Sequence, residues 1–331
     1  MTQPETQPVT EPETTDTTRP RIATVGVHIL DTLGAPVDHL PSGQNSLRLQ
    51  EIRVAPAGTA AGVAVDLALL GADVATYGAV GNDEIGAFLL SSLQGHGIDT
   101  AGVVHLDGVQ TSASILLVRP NGDRPALHVK GANGIATWDD LGPPDLQGFA
   151  GVHVGGLDAM SALDRPRSLE VMRAARAAGA VVSLDFQSSA QWLGADLLEL
   201  LPGADYFMPN LEQAVGLVGD GTPEEVAGRL LEHGPRAVVV TCGEHGAVYR
   251  DAERLVHQPA FRVDVVDTTG CGDSFCATFL LSTVRGDSVE DSLRRASGAA
   301  ALVASGLGSD GLLRDWDQLE AFVRDAAVLT P

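Results

Sequence analysis

The residues best suited to chemistry lie close together in the last third of the chain. An apolar stretch from Val263 runs into Asp267-Thr268-Thr269-Gly270-Cys271-Gly272-Asp273, and an apolar helical pattern follows. Small residues at a helix start let backbone N–H groups approach an anion, and the helix dipole adds partial positive charge there. A carboxylate in that first turn, Asp273, would stand beside a bound phosphate and could take the proton of an attacking hydroxyl. On residue types alone, Asp267 or Asp273 acting as a plain helix cap accounts for the turn equally well. A second small-residue segment, Ala57-Gly58-Thr59-Ala60-Ala61-Gly62, opens another helix, with Gly71, Gly78, Gly81 and Gly86 after it. Glycine before a helix permits close approach of a ligand, although tight helix–strand packing is its ordinary use.

The elements that would hold these segments alternate along the chain. Short apolar strands at 21–27, 73–79, 151–154, 180–185, 204–208 and 236–241 are separated by helical patterns at 59–70, 84–95, 165–178, 210–218 and 224–233. That alternation predicts a mostly parallel sheet with helices on both faces. Two stretches break it. Residues 33–54 carry short extended pieces around Pro36, Pro41 and Gly43, and residues 112–130 read as a hairpin turning at Asn121-Gly122-Asp123. Strands with no helices to cover them predict a small second sheet, either a lid over a ligand cleft or an extension of the main sheet's edge.

Composition excludes several classes. A net charge of −22 repels nucleic-acid phosphates and anionic membranes, and no apolar run is long enough to cross a bilayer. Lys130 is the only lysine, so a phosphate-binding loop built on a lysine is unavailable. Cys242, Cys271 and Cys276 have neither disulfide-framework nor zinc-site spacing, which points to a reducing, cytoplasmic setting. Residues 1–20, rich in Thr, Pro, Glu and Gln, read as a disordered tail.

Taken in order, the two small-residue segments resemble the signatures of the PfkB, or ribokinase-like, carbohydrate kinase family. The first signature is carried by Ala57, Gly58, Ala60, Gly62, Ala64, Gly71 and Gly81, the second by the turn around Gly270 to Asp273. Weaker marks are Gly26 and Asp31, Gly81-Asn82-Asp83, Gly131-Ala132-Asn133, Pro209-Asn210 and Thr241-Cys242-Gly243-Glu244-His245-Gly246. The resemblance covers about residues 21–325. It implies a three-layer α/β/α sandwich with a small β-sheet lid in one domain, residues 21–331, and ATP-dependent transfer of a phosphoryl group to a sugar or nucleoside hydroxyl. It implies Asp273 as catalytic base, with the amides of Gly270, Cys271 and Gly272 as anion hole. Asp31, Gly58, Gly62 and Asn133 would meet the acceptor. Asn210, Thr241, Gly243, Gly246 and Gly308 would meet the nucleotide, with residues 296–309 as the far wall of the adenine pocket. Mg2+ would be held through phosphates and water near Asn210 and Gln213. Part of the family also uses a K+-like ion near the Asp267 loop, and lid strands often form a homodimer.

The chain departs from the family pattern at several positions. Gly62 replaces an asparagine that usually contacts the sugar, which implies an unusual or larger acceptor. Gln213 replaces a glutamate that organises the water around Mg2+. Glu212 is adjacent, but one step along a helix turns a side chain by about 100°. Cys271 and Thr278 replace smaller residues, and Gln187 and Ser189 replace the frequent Asn and Arg. His28 and His128 are further candidates for the cleft, and Arg294-Arg295 for ATP. Trp138, Trp192 and Trp316 read as packing residues. Two other classes compete: a non-catalytic ligand-binding homologue, which Gln213 favours, and a nucleotide-dependent oxidoreductase. The latter lacks a Gly-x-Gly-x-x-Gly after the first strand.

Overall fold

The computed structural model describes residues 19–120, 123–188, 191 and 193–329. The expected disordered tail lies, up to residue 18, outside the described residues, as do Asn121 and Gly122 of the hairpin turn, Ser189 and Trp192.

The chain opens with β1 (Arg21–Gly26), β2 (Ile29–Ala35), β3 (Glu51–Ala57), α1 (Ala61–Leu69), β4 (Asp73–Gly81), α2 (Glu84–Gly95) and β5 (Asp99–Leu106). The hairpin β6 (Ala113–Leu117) and β7 (Ala126–Val129) precedes the short helices α3 (Gly131–Ile135) and α4 (Trp138–Leu141). Alternation resumes with β8 (Gly151–Gly155), α5 (Arg165–Ala177), β9 (Val181–Asp185), β10 (Tyr206–Phe207), α6 (Leu211–Val218), α7 (Pro223–Leu231) and β11 (Ala237–Thr241). The chain closes with β12 (Ala247–Arg250), β13 (Leu255–Gln258), α8 (Cys271–Val284), α9 (Val289–Ala304) and α10 (Trp316–Asp325).

A nine-stranded sheet runs in the order β13-β12-β11-β10-β9-β8-β1-β4-β5. It is parallel except for the antiparallel β11–β12 and β12–β13 pairs. Alternate residues of a strand face opposite layers. In β11, Ala237 and Val239 join the core under α8 and α9, while Val238 and Val240 join the core on the other side. The sheet is therefore covered on both faces, and its strands read as continuous apolar runs. α8 is buried along Ser274–Ser282 because it is flanked by α1, α9 and the sheet, so its sequence shows no polar stripe.

The second sheet has four strands in the order β3-β2-β6-β7. Segments 33–54 and 112–130 supply most of it, although the strands begin at Ile29 and extend to Ala57. Its pairing sets two faces. Ala55, Asp31, Ser114 and His128 form one cross-strand row, and Val54, Thr32, Ile115 and Leu127 form the next, on the opposite face. Asp31, Ser114 and His128 of the first row line the cleft over the main sheet.

Candidate active site

One end of the cleft, the expected phosphoryl end, is held by backbone. Gly270, before α8, has φ 77°, and a side chain on it would lie 2.1 Å from the Ser309 carbonyl oxygen. Only glycine fits there. Asp267 is fully buried and fastens the loop: one oxygen accepts from Thr269 N at 2.9 Å and Thr269 Oγ1 at 2.7 Å, the other from Gly308 N at 2.9 Å. The first-turn amides of Gly272 and Asp273 have no carbonyl a turn earlier in the helix to accept from them. Gly272 opens on the cleft, and a Cβ placed there would have no atom within 4 Å. The Cys271 amide, expected in the anion hole with those of Gly270 and Gly272, donates to Thr268 O at 3.4 Å, and its thiol donates to the Ala300 carbonyl, with burial pushing the thiol pKa up to about 12.

Asp273 lies at the cleft floor. Burial, reinforced by the negative charge of Asp31 and opposed by Arg124, raises its pKa to about 7. A carboxyl poised near neutrality is suited to taking and releasing a proton.

The other end, where the acceptor is expected, is made of side chains from separate segments around a cavity of about 940 Å³. Asp31 projects from the lid, its pKa raised to about 6 by burial against the opposing effects of Ser114 and Arg124. Gly58 lines the floor at φ 88°, where a Cβ would meet Val27 O at 2.7 Å. Asn133 lines the same cavity but also clips the chain. Its Oδ1 accepts from His28 N at 3.3 Å, and its Nδ2 donates to His28 O at 2.8 Å. Thr59 N donates to Gln187 Oε1, and Asp158 accepts from Gln187 N and Ser188 N, which joins two walls of the cavity.

The two histidine candidates separate. His28 is fully buried, its ring nitrogens on Gly26 O and Thr76 Oγ1, so it belongs to the core. His128 lines the cleft, with Nδ1 3.1 Å from Ser114 Oγ.

A second cavity, of about 430 Å³, adjoins the first and shares Thr241, Thr268 and Gly272 with it. Thr241, Gly243 and Gly246 line one side, and Ser297, Ala300, Ala301 and Ala304 of α9 the other. Phe261, Val263, Val265 and Phe275 add apolar surface suited to a planar base. Asn210 faces the larger cavity. It caps α6 by accepting from Gln213 N, while Gln213 Oε1 accepts from Asn210 N. Gln213 Nε2 also donates to Phe186 O and Ser188 O.

Two expectations need correcting. Gly308 lies behind the phosphoryl loop, against Arg53, and does not line the nucleotide cavity; its amide is held by Asp267. Arg294 and Arg295 turn to α10 instead, Arg294 onto Val323 O and Arg295 onto Glu320. Trp138 and Trp316 do pack, Trp138 buried with its N–H on Ser168 and Trp316 under Arg285.

Arg124 is the main residue that motif reading misses. From the lid hairpin it donates to Thr268 Oγ1 of the phosphoryl loop and lies 3.9 Å from Asp267. Its only sequence signal is a cation beside the hairpin turn. Ser114, Asp158 and Asp185 also line the cleft, and the last is marked in sequence only by ending a strand.

The model of the pfkB family of carbohydrate kinases matches residues 19–315. A fructokinase-1 of Zea mays is 30% identical over 242 residues, covering 70% of this chain and 74% of that protein. An ATP-dependent ribose-1-phosphate kinase of Halopiger xanaduensis is 31% identical over 276 residues, covering 82% and 88%. In fold, the chain superposes on the Arabidopsis thaliana ribokinase solved with ribose and ATP. The TM-score is 0.76 at 24% identity, over 92% of this chain and 99% of that one. With its ribokinase-like fold and a match over nearly its whole length, the chain belongs to the pfkB family of carbohydrate kinases.

Proposed function

We propose that the protein transfers the γ-phosphoryl group of ATP to a hydroxyl of a sugar or sugar-like molecule held between Asp31 and Asp273. The observation that carries this reading is the junction of the two cavities. An apolar, base-sized cavity and a larger, more polar one meet at Thr241, Thr268 and Gly272, and Asp273, next to Gly272, lines the larger one. Relatives named fructokinase and ribose-1-phosphate kinase support a sugar-type acceptor.

In this reading Asp31 holds an acceptor hydroxyl and the closed lid excludes water. Asp273 takes the proton as the oxygen attacks, and the first-turn amides receive the charge spreading over the phosphoryl oxygens. Arg124 meets the same charge from the lid side. Mg2+ arrives with ATP, and the oxygen-rich wall of Asp158, Asp185 and Asn210 suits its bound waters. Gln213 serves there by holding Asn210 and the 186–188 segment in place. We assign no step to a K+ ion.

The lid's outer face exposes Ile115 (52%) and Leu127 (59%) beside Val54 and Ile52. A second copy of the chain covering it would make a homodimer with the lid at its centre. Free Cys242, Cys271 and Cys276 suit a reducing, cytoplasmic setting, and no helix among the described residues is long and apolar enough to cross a membrane.

The test is ADP release with MgATP across a panel of sugars, sugar phosphates, sugar acids and nucleosides. Turnover with a sugar-type acceptor is expected. Preference for a nucleoside would move the acceptor class, and tight binding without turnover of any compound would overturn the reading in favour of a non-catalytic binder.

A further inference from the structure

Asp66, on α1, is buried with 1% of its surface exposed, and neither carboxyl oxygen has a hydrogen-bond partner among the described residues. A buried carboxyl in that position is costly unless something answers it. What lies around it is specific. Gly62 is one helical turn earlier on the same side of α1, and the two residues line one small cavity together. A Cβ on Gly62 would lie 2.8 Å from Asp273 Oδ2, so that carboxyl presses against Gly62 from α8. The cavity, of about 90 Å³, is bounded by Gly62, Asp66, Ser309, Asp310, Arg53 and His96. It is polar and large enough for water.

The groups facing Asp66 determine its state. Asp273 from α8 and Asp310 from the loop after α9 both add negative charge. Arg53 from β3 donates to Leu307 O and pairs with Asp310. His96, at the end of α2, borders the cavity from the far side. Farther off, Asp31 and Arg124 act on Asp273 from the lid. Burial and the two carboxylates push the Asp66 pKa far up, which leaves it a neutral group with an O–H to donate.

We propose that Asp66 is a positioning residue for Asp273, donating to Oδ2 of the base through a water at the Gly62 edge of this cavity, Gly62 being the residue that lines the cavity and also touches Asp273. The hydrogen bond holds the ionised carboxylate in one orientation, so that its other oxygen meets the acceptor hydroxyl. Gly62 and Asp66 then act as a pair: a side chain at 62 would close the edge of the cavity that the carboxyl at 66 uses. The inference rests on Asp273 being the base.

The experiment compares Asp66→Asn, which keeps a neutral donor, with Asp66→Leu, which removes it, by kcat, KM and pH profile with MgATP and the best acceptor of the panel. Asp66→Asn should stay within about 3-fold of wild-type kcat. Asp66→Leu should lose roughly 10–100-fold in kcat, the usual worth of a hydrogen bond to a charged group, with both KM values little changed. Its acid limb should move to higher pH, because the ionised base has lost a donor. In an Asp273→Asn background, Asp66→Leu should cost nothing further. Should Asp66→Leu not fold, an infrared difference spectrum of wild type minus Asp66→Asn at pH 8 reads the same point; it should contain a protonated-carboxyl band, and an ionised Asp66 would overturn the inference. Unchanged kcat and acid limb in folded Asp66→Leu, with Asp273→Asn inactive, overturns the role of Asp66 alone. Full activity of Asp273→Asn would instead remove the base assignment on which it rests.

Discussion

The two ends of the cleft are made differently. At the proposed phosphoryl end the exposed groups are backbone amides, placed by a glycine at φ 77° and by Asp267 gripping Thr269 and Gly308. The proposed acceptor end is lined by side chains from separate segments: Asp31 and Ser114 from the lid, Asn133 after the hairpin, and Gln187 after β9. The first arrangement tolerates almost no substitution, because a side chain at Gly270 would strike Ser309. The second can change one side chain without moving its neighbours. Of the positions where this chain departs from its family's pattern, Gln187 lies on the proposed acceptor side, whereas Gly62, expected to meet the acceptor, lies outside that cavity, against Asp273.

That contrast is broken most severely at the base. Asp273→Asn should lower kcat by roughly 10²–10⁴-fold with MgATP binding largely intact, read by turnover and by nucleotide titration. The loss should not come from unfolding. The wild-type protein favours the protonated carboxyl, so it loses stability as pH rises from about 4 to about 7. Asp273→Asn should therefore melt higher than wild type at pH 8, with the gain fading toward pH 4.

Next in size is Gly270→Ala. It should cost roughly 10²–10³-fold in kcat, the scale of a lost oxyanion donor, by displacing the first-turn amides. An equal loss of kcat from a single change on the acceptor side would blur the distinction between the ends.

Asp31→Asn should act mainly on acceptor binding, raising its KM by about 10-fold or more while leaving the KM for ATP nearly unchanged. An unchanged acceptor KM would take Asp31 out of the site.

The smallest effect should come from Gln213→Glu. A carboxylate cannot donate to Phe186 O and Ser188 O, so the variant should lose about 1–3 kcal/mol of stability in urea unfolding. Its half-saturating free Mg2+ should match the wild type. A several-fold fall would mean that position 213 reaches the metal's waters after all.

How far the site could be read from sequence follows the same division. The phosphoryl turn is legible because its requirement falls on consecutive residues, Gly270 to Asp273. The parallel sheet is legible because two-sided burial makes each strand a short apolar run, as in Ala237–Thr241. Arg124 is not legible: its contact with Thr268 joins residues 144 apart, and no local pattern encodes that. His28 looks like a cleft residue beside Asp31, but its ring points into the core toward Thr76, a direction that strand spacing leaves open. Gly308 lies in the expected nucleotide stretch, yet its amide is used by Asp267 from behind. Asp66 resembles any other residue of an apolar helix until Gly62 and Asp273 are placed beside it.

The central claim is that Asp273 is the base and that its proton affinity is set by burial and by Asp31. It is tested most directly by the pH dependence of kcat/KM for the acceptor in wild type and in Asp31→Asn. The wild type should gain activity with rising pH through a limb near the Asp273 pKa of about 7. In Asp31→Asn a negative neighbour is gone, so the limb should move to lower pH. Ionisation of ATP is common to both proteins and cannot produce that difference. Superimposable profiles, or a wild-type limb in the ordinary carboxylate range near 4, would contradict the account.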